Sequence, residues 1–186
     1  MNESEVLYSS ASDLLDRLGV NIEAPINLDK IVKDLGIVVE EDVSLDERGI
    51  VGEILFEDGN PIVKINPIKN DYPPRMRFTL AHEIGHYCLH SAKSKKGFID
   101  SQKTMSRTES YWDPYESEAN SFAAQLLMPK QLILTEGQKT IDKYKNETSE
   151  DGIPMKIFID KIAEKFGVSS QAMGYRLKNL GIINNY

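Results

Sequence analysis

Apolar residues in the N-terminal stretch SEVLYSSASDLLDRLGV recur at helical spacing. Val6, Leu7, Leu14, Leu15 and Leu18 form the candidate buried stripe, and Gly19 is the stop. PINLDKIVKDLG repeats the pattern over a shorter span, with Asn27 placed to cap it and Gly36 to end it. The period then changes. IVVEEDV, GIVGEILFE and PIVKIN are short runs rich in Ile and Val that read as strands. DGN, residues 58–60, is good hairpin-turn chemistry between the last two. The pattern predicts a small antiparallel sheet. NDYPPRM follows, breaking the chain and starting a helix with Pro73 or Pro74 in its first turn.

Residues 78–89 of that helix are apolar almost all round, through Phe78, Leu80, Ala81, Ile84, Tyr87, Cys88 and Leu89, which predicts a buried helix. The segment from Ser91 to Tyr115 is polar and reads as a long loop, with GFID and SYWDPY as apolar islands and room for a hairpin. ESEANSFAAQLLMP predicts the next helix, stopped by Pro129, which also starts PKQLILTEG. DKYKNETSEDGIP reads as a charged linker. IDKIAEKFGVSSQAMGYRLKNLGII predicts two helices joined through FGVSS. The organisation expected is a main domain over residues 1–150 and a helix-turn-helix-like extension over 151–186, packed on the first.

Composition narrows the class. With 40% hydrophobic and 27% charged residues, the 186-residue chain is an ordinary globular protein. A net charge of −7 argues against broad binding to nucleic acid or anionic membrane. The single cysteine, Cys88, rules out an intramolecular disulfide and a cysteine-rich zinc site. The N-terminus lacks the pattern of a signal peptide and no apolar run is long enough to span a membrane, so a cytoplasmic protein is expected.

All three histidines fall in RFTLAHEIGHYCLH. On a helix, residues four apart lie about 40° apart around the axis and about 6 Å along it. His82 and His86 can therefore aim ring nitrogens at one ion, while Glu83, about 100° round from His82, can lean over water beside it. A helix built only for packing needs neither a buried glutamate nor Gly85, which costs roughly 1 kcal/mol relative to alanine.

A third ligand must come from elsewhere. His90 lies about 12 Å from His82 along an unbroken helix, too far for a shared ion. It reads instead as a residue supporting the site or the helix end, or equally as a surface histidine beside Ser91. In ESEAN, Glu116 shares a face with Ala119, Asn120, Ala123 and Leu127, whose alanines permit close helix packing. Glu118 shares the opposite, polar face with Ser121 and Gln125 and is expected to point to water. Asn120, one turn after Glu116, can accept the ring N–H of a ligating histidine.

RFTLAHEIGHYCLH followed by ESEANSFAAQLLMP resembles the ImmA/IrrE family of zinc metallopeptidases. GIVGEILFEDGNPIVKIN and the N-terminal helices fit the same family, so the resemblance covers most of the chain. It implies an α+β, zincin-like fold: a small antiparallel sheet packed on a buried HExxH helix and further helices, with a C-terminal helix-turn-helix-like unit. The ligand set is similar to that of thermolysin-type enzymes, except that Asn120 stands where those carry Asp. The expected cofactor is one Zn2+, held by His82, His86 and Glu116, with Glu83 as general base. The expected activity is that of a zinc metallo-endopeptidase. His90, Tyr111 and Tyr115 are candidate donors to the transition-state oxyanion, although packing of the loop with Trp112 is the better explanation of the tyrosines. PIVKIN is the expected edge strand for an extended substrate.

Family members commonly act on regulatory DNA-binding proteins, so the resemblance implies a repressor-type substrate and a role in transcription regulation. The tail from Lys156 onward carries five basic and two acidic side chains. DNA binding through Tyr175, Arg176 and Lys178 competes with the simpler reading, in which Ile162, Phe166, Met173, Leu177 and Leu180 pack the tail on the main domain. The alternative function is a zinc-containing regulator that binds a protein or DNA without turnover.

Overall fold

The computed structural model describes residues 7–91, 97–101 and 113–184. Val6, Tyr111 and Trp112 lie outside them. The order of the described elements is α1 (Ala11–Leu18), α2 (Leu28–Asp34), β1 (Val38–Glu41), a short 3-10 turn (Val43–Asp46), β2 (Ile50–Glu57), β3 (Asn60–Ile65), α3 (Pro73–His90), β4 (Phe98–Ser101), α4 (Pro114–Leu127), α5 (Lys130–Thr148), α6 (Met155–Phe166) and α7 (Ser170–Asn179). The fold is α+β, with seven helices and a four-stranded sheet among the described residues.

The first helix is shorter than its hydrophobic pattern predicts. Ser10 caps it by accepting a hydrogen bond from the Asp13 amide, so the helix starts at Ala11 and Leu7 stays outside it, exposed. Leu14 and Leu15 are buried as expected. Asn27 caps α2, accepting from the Lys30 amide at 2.9 Å.

The sheet is mixed rather than antiparallel, in the order β1-β3-β2-β4. Asp58 and Gly59 both have positive φ, 51° and 83°, the requirement of a two-residue type I′ hairpin, and this pairs β2 antiparallel with β3. The 3-10 turn, anchored by the fully buried Leu45, carries the chain from β1 into β2, leaving β1 to pair parallel with the far side of β3. PIVKIN is therefore an interior strand, and among the described residues the edges are β1 and β4. The predicted loop after α3 contains β4, which pairs antiparallel with β2.

One apolar cluster unites the elements. It includes Leu14 of α1, Ile31 of α2, Ile54 of β2, Ile84 and Cys88 of α3, Ala123 and Leu126 of α4, and Phe166 and Met173 from the last two helices. The predicted charged linker is largely helical: α5 runs through DKYKNET to Thr148. Ion pairs such as Lys143–Glu147 are spaced along its exposed face, as solvated helices allow. Ile162, Phe166, Met173 and Leu177 are buried and Leu180 packs against them. No helix is long and apolar enough to cross a membrane among the described residues.

Candidate metal centre

The helix α3 begins at Pro73, whose missing N–H costs nothing in the first turn. It runs unbroken to His90, packed between β2 and α4. His82, Glu83, His86 and His90 are all fully buried, whereas Phe78, Leu80, Tyr87 and Leu89 are only partly so. The helix thus places its polar residues in the interior, the reverse of a helix built for packing.

The helix α4 supplies the opposing carboxylate. Asp113 caps it by accepting from the Tyr115 amide at 2.9 Å, and Pro114 occupies its first position. Glu116 lies in the first turn, where the helix dipole favours negative charge. Gly85 lets the two helices meet: a Cβ there would come within 3.2 Å of Ala119 Cα and its carbonyl oxygen, and 3.3 Å of Phe122 Cβ.

The result is a close convergence. His82 Nε2 and His86 Nε2 are 3.0 Å apart. Glu116 Oε2 is 3.3 Å from the first and Oε1 3.2 Å from the second. A tetrahedral ion with bonds of about 2.0–2.1 Å has ligand–ligand edges of roughly 3.3 Å. These three side chains are the one group with metal-holding geometry found among the described residues.

The hydrogen positions implied by the surroundings favour a cation. His82 Nδ1 lies 3.1 Å from Asn120 Oδ1; with that oxygen as acceptor the proton sits on Nδ1 and Nε2 presents a lone pair. Burial pushes the imidazolium of His86 down to about 4, leaving that ring neutral near pH 7. Burial also pushes the Glu116 carboxyl up, but hydrogen bonds from His82 and His86 outweigh it and bring it down to about 2. Those bonds need hydrogen on the Nε2 atoms that face Glu116, the position a metal ion would take. A cation in the same place satisfies all three groups at once, so the residues fit a divalent metal.

The Glu83 carboxylate lies against β2. A Cβ built on Gly52 would lie 2.9 Å from Glu83 Oε1 and 2.8 Å from Thr79 Cγ2. Bare backbone at Gly52 is what gives the carboxylate room. Thr79 is fixed in turn, donating to Asn70 Oδ1 at 2.7 Å, while Asn70 donates to the Val51 carbonyl at 3.0 Å.

The remaining candidates separate. His90 reaches the site indirectly, with its Nδ1 3.0 Å from His86 Nδ1. Tyr115 belongs to the first turn of α4 rather than to a loop, and its ring meets His90 edge-on at 4.9 Å. Tyr111 lies outside the described residues. Glu118 does not simply face water: its side chain is 56% exposed, yet Oε2 lies 2.9 Å from His90 Nε2. Phe98 of β4 stacks on His86 with centroids 4.7 Å apart and planes 14° apart. Its position in a polar segment carried no periodic signal. Gly52, inside a strand, was a readable sign of close backbone approach.

Residues 33–178 match the family model described as the IrrE N-terminal-like domain of peptidases. Metallopeptidase ImmA of Bacillus subtilis (strain 168) is 26% identical over 116 residues, which is 62% of this chain and 57% of that relative. The chain thus matches little more than half the length of this curated relative. With the family model covering both the helix of the two histidines and the helix of Glu116, the chain belongs to the ImmA/IrrE peptidase family, whose defining unit is the IrrE N-terminal-like domain.

Proposed function

We propose that the protein is a zinc-dependent endopeptidase with a zincin-like active site, acting on a regulatory protein in the cytoplasm. The observation that carries this reading is the convergence of His82 Nε2, His86 Nε2 and Glu116 within 3.3 Å of one another, with Glu83 buried on the same helix. His82, His86 and Glu116 would hold a single zinc ion. Zinc held there supplies Lewis acidity, polarising a carbonyl oxygen and making water easier to deprotonate.

The chain's own groups do the rest. Glu83 takes a proton from water onto its carboxylate and hands it to the leaving amine nitrogen. Asn120 holds the His82 proton at Nδ1. Phe98 stacks on His86 and fixes the plane of that ring. An extended substrate would add to β4, which among the described residues is the sheet edge that carries Phe98. His90 and Tyr115 remain candidates to steady the developing oxyanion.

A repressor-type DNA-binding protein is the proposed substrate class, carried by the family resemblance. The tail, residues 151–186, is proposed as a packed extension of the main domain rather than a DNA reader. In support, its apolar residues enter the common core and Arg176 donates to the Met128 carbonyl at 3.1 Å.

The test combines metal analysis with a specific substrate. The purified protein should contain one zinc and cut a repressor encoded near its own gene, while generic casein is a poor probe of so selective an enzyme. Glu83→Gln should keep the zinc and lose the cleavage, by about 10²-fold or more. Cleavage at the wild-type rate would remove Glu83 from the mechanism, and stable binding without any cleavage by wild type would favour a regulator without turnover.

A further inference from the structure

Resting on the zinc reading above, we infer that Glu118 and His90 are positioning residues for the metal centre. Together they fix His86 as the tautomer whose Nε2 is bare and turned toward the ion.

The argument follows the protons along three side chains. Glu118 Oε2 lies 2.9 Å from His90 Nε2. An ionised carboxylate only accepts, so the hydrogen between them belongs to His90 Nε2. Where the His90 ring carries a single N–H, placing it on Nε2 leaves Nδ1 as an acceptor. It lies 3.0 Å from His86 Nδ1. The hydrogen in that contact must come from His86 Nδ1, which leaves His86 Nε2 with a lone pair. Reversing any one of these bonds would place N–H on His86 Nε2, where it would face Glu116 and block a metal.

The two histidine ligands are thus oriented differently. His82 is oriented by the amide of Asn120, which can offer either oxygen or nitrogen. The His86 branch ends on a group that cannot donate, so its direction is set by chemistry. Packing holds the intermediate ring in place: His90 is fully buried, with Phe98 and Tyr115 against it at 5.5 and 4.9 Å. The spacing of the sequence supports this assembly. His82, His86 and His90 recur every four residues on α3, and Glu116 and Glu118, two apart on α4, serve the ion and the relay respectively. A carboxylate acting through an imidazole on a metal ligand raises the ligand's basicity as well as fixing its proton.

The experiment measures zinc affinity by chelator competition in the full-length chain, together with imidazole nitrogen NMR. In zinc-loaded wild type, His90 should show the Nε2–H pattern. His90→Phe keeps the ring contacts but removes the acceptor, and should weaken zinc binding by about 10–100-fold. Glu118→Ala should weaken it by roughly 10-fold and leave His90 as a tautomer mixture. Glu118→Gln, whose amide can accept or donate the same hydrogen, should recover only part of the affinity. Thermal melting of each variant checks that it is folded. A His90 proton on Nδ1 in wild type overturns the inference. So does zinc affinity in Glu118→Ala within about threefold of wild type. If wild type binds no zinc at all, the metal-centre reading fails instead, and the His90 tautomer in the metal-free protein still decides the relay.

Discussion

Gly85 sits against the backbone of Ala119, so closely that a Cβ on Gly85 would be 3.2 Å from both Ala119 Cα and Ala119 O. This contact sets the distance between the helix that carries both histidines and the helix that carries Glu116. A glycine inside a helix costs roughly 1 kcal/mol against alanine, so the contact is kept despite local propensity.

Gly85→Ala should therefore act opposite to its helix propensity. Added bulk at a backbone contact typically costs about 1–3 kcal/mol. The helix α4 must shift outward, and Glu116 shifts with it. Lower zinc occupancy and a lower melting temperature are expected together. An alanine variant that is more stable than wild type and holds zinc normally would show that the helices have slack here.

Gly52→Ala should separate catalysis from metal binding. The new methyl would press on Thr79 Cγ2 and Glu83 Oε1, not on His82, His86 or Glu116. Turnover should fall by an order of magnitude or more as the base is displaced. Zinc content should stay near one per chain. If cleavage is unchanged, Glu83 has room that the close approach of β2 does not imply.

Much of this arrangement was legible in the sequence because it rests on helix geometry. The four-residue spacing of His82 and His86 and the inward face of Glu116, Ala119, Asn120 and Ala123 follow from 3.6 residues per turn. What the sequence left out depends on tertiary contact. Glu118 lies on a polar face, and only the approach of α3 brings His90 to it. The sheet was half legible: the hairpin is local and is set by Asp58 and Gly59, whereas the parallel pairing of β1 with β3 is long-range. PIVKIN could not be placed as edge or interior from its own residues. The strand β4, four residues long, lacks the length for a period to show.

Removing residues from Met155 onward should destabilise the whole protein. Phe158, Ile159, Ile162, Phe166, Met173 and Leu177 are buried in the same apolar cluster as Ile133 and Leu126. Each large buried side chain contributes about 1.5–3 kcal/mol, and their loss exposes a broad apolar face. Aggregation or loss of cooperative unfolding is expected on expression of the shortened chain. A truncated protein that stays folded and proteolytic, but loses tight, salt-sensitive binding to one DNA site, would make the tail a reader domain.

Metal removal should test the ligand set itself. If zinc binds the folded chain alone, free zinc at about 100 times its Kd adds about 2.7 kcal/mol of stability. For a chain of this size that is roughly 5–10 °C in melting temperature. Wild type should show this shift between zinc-saturated and chelator-treated samples. Glu116→Ala should not, because one of the three converging groups is gone and the remaining two imidazoles hold an ion far more weakly. Glu118→Ala should keep a shift, smaller than that of wild type, because it loses the tautomer control and not a ligand atom. The two carboxylates, two residues apart on one helix, are thus ranked by a single melting series. A full zinc-dependent shift in Glu116→Ala would remove Glu116 from the ligand set, despite its 3.2 and 3.3 Å contacts with the two histidines.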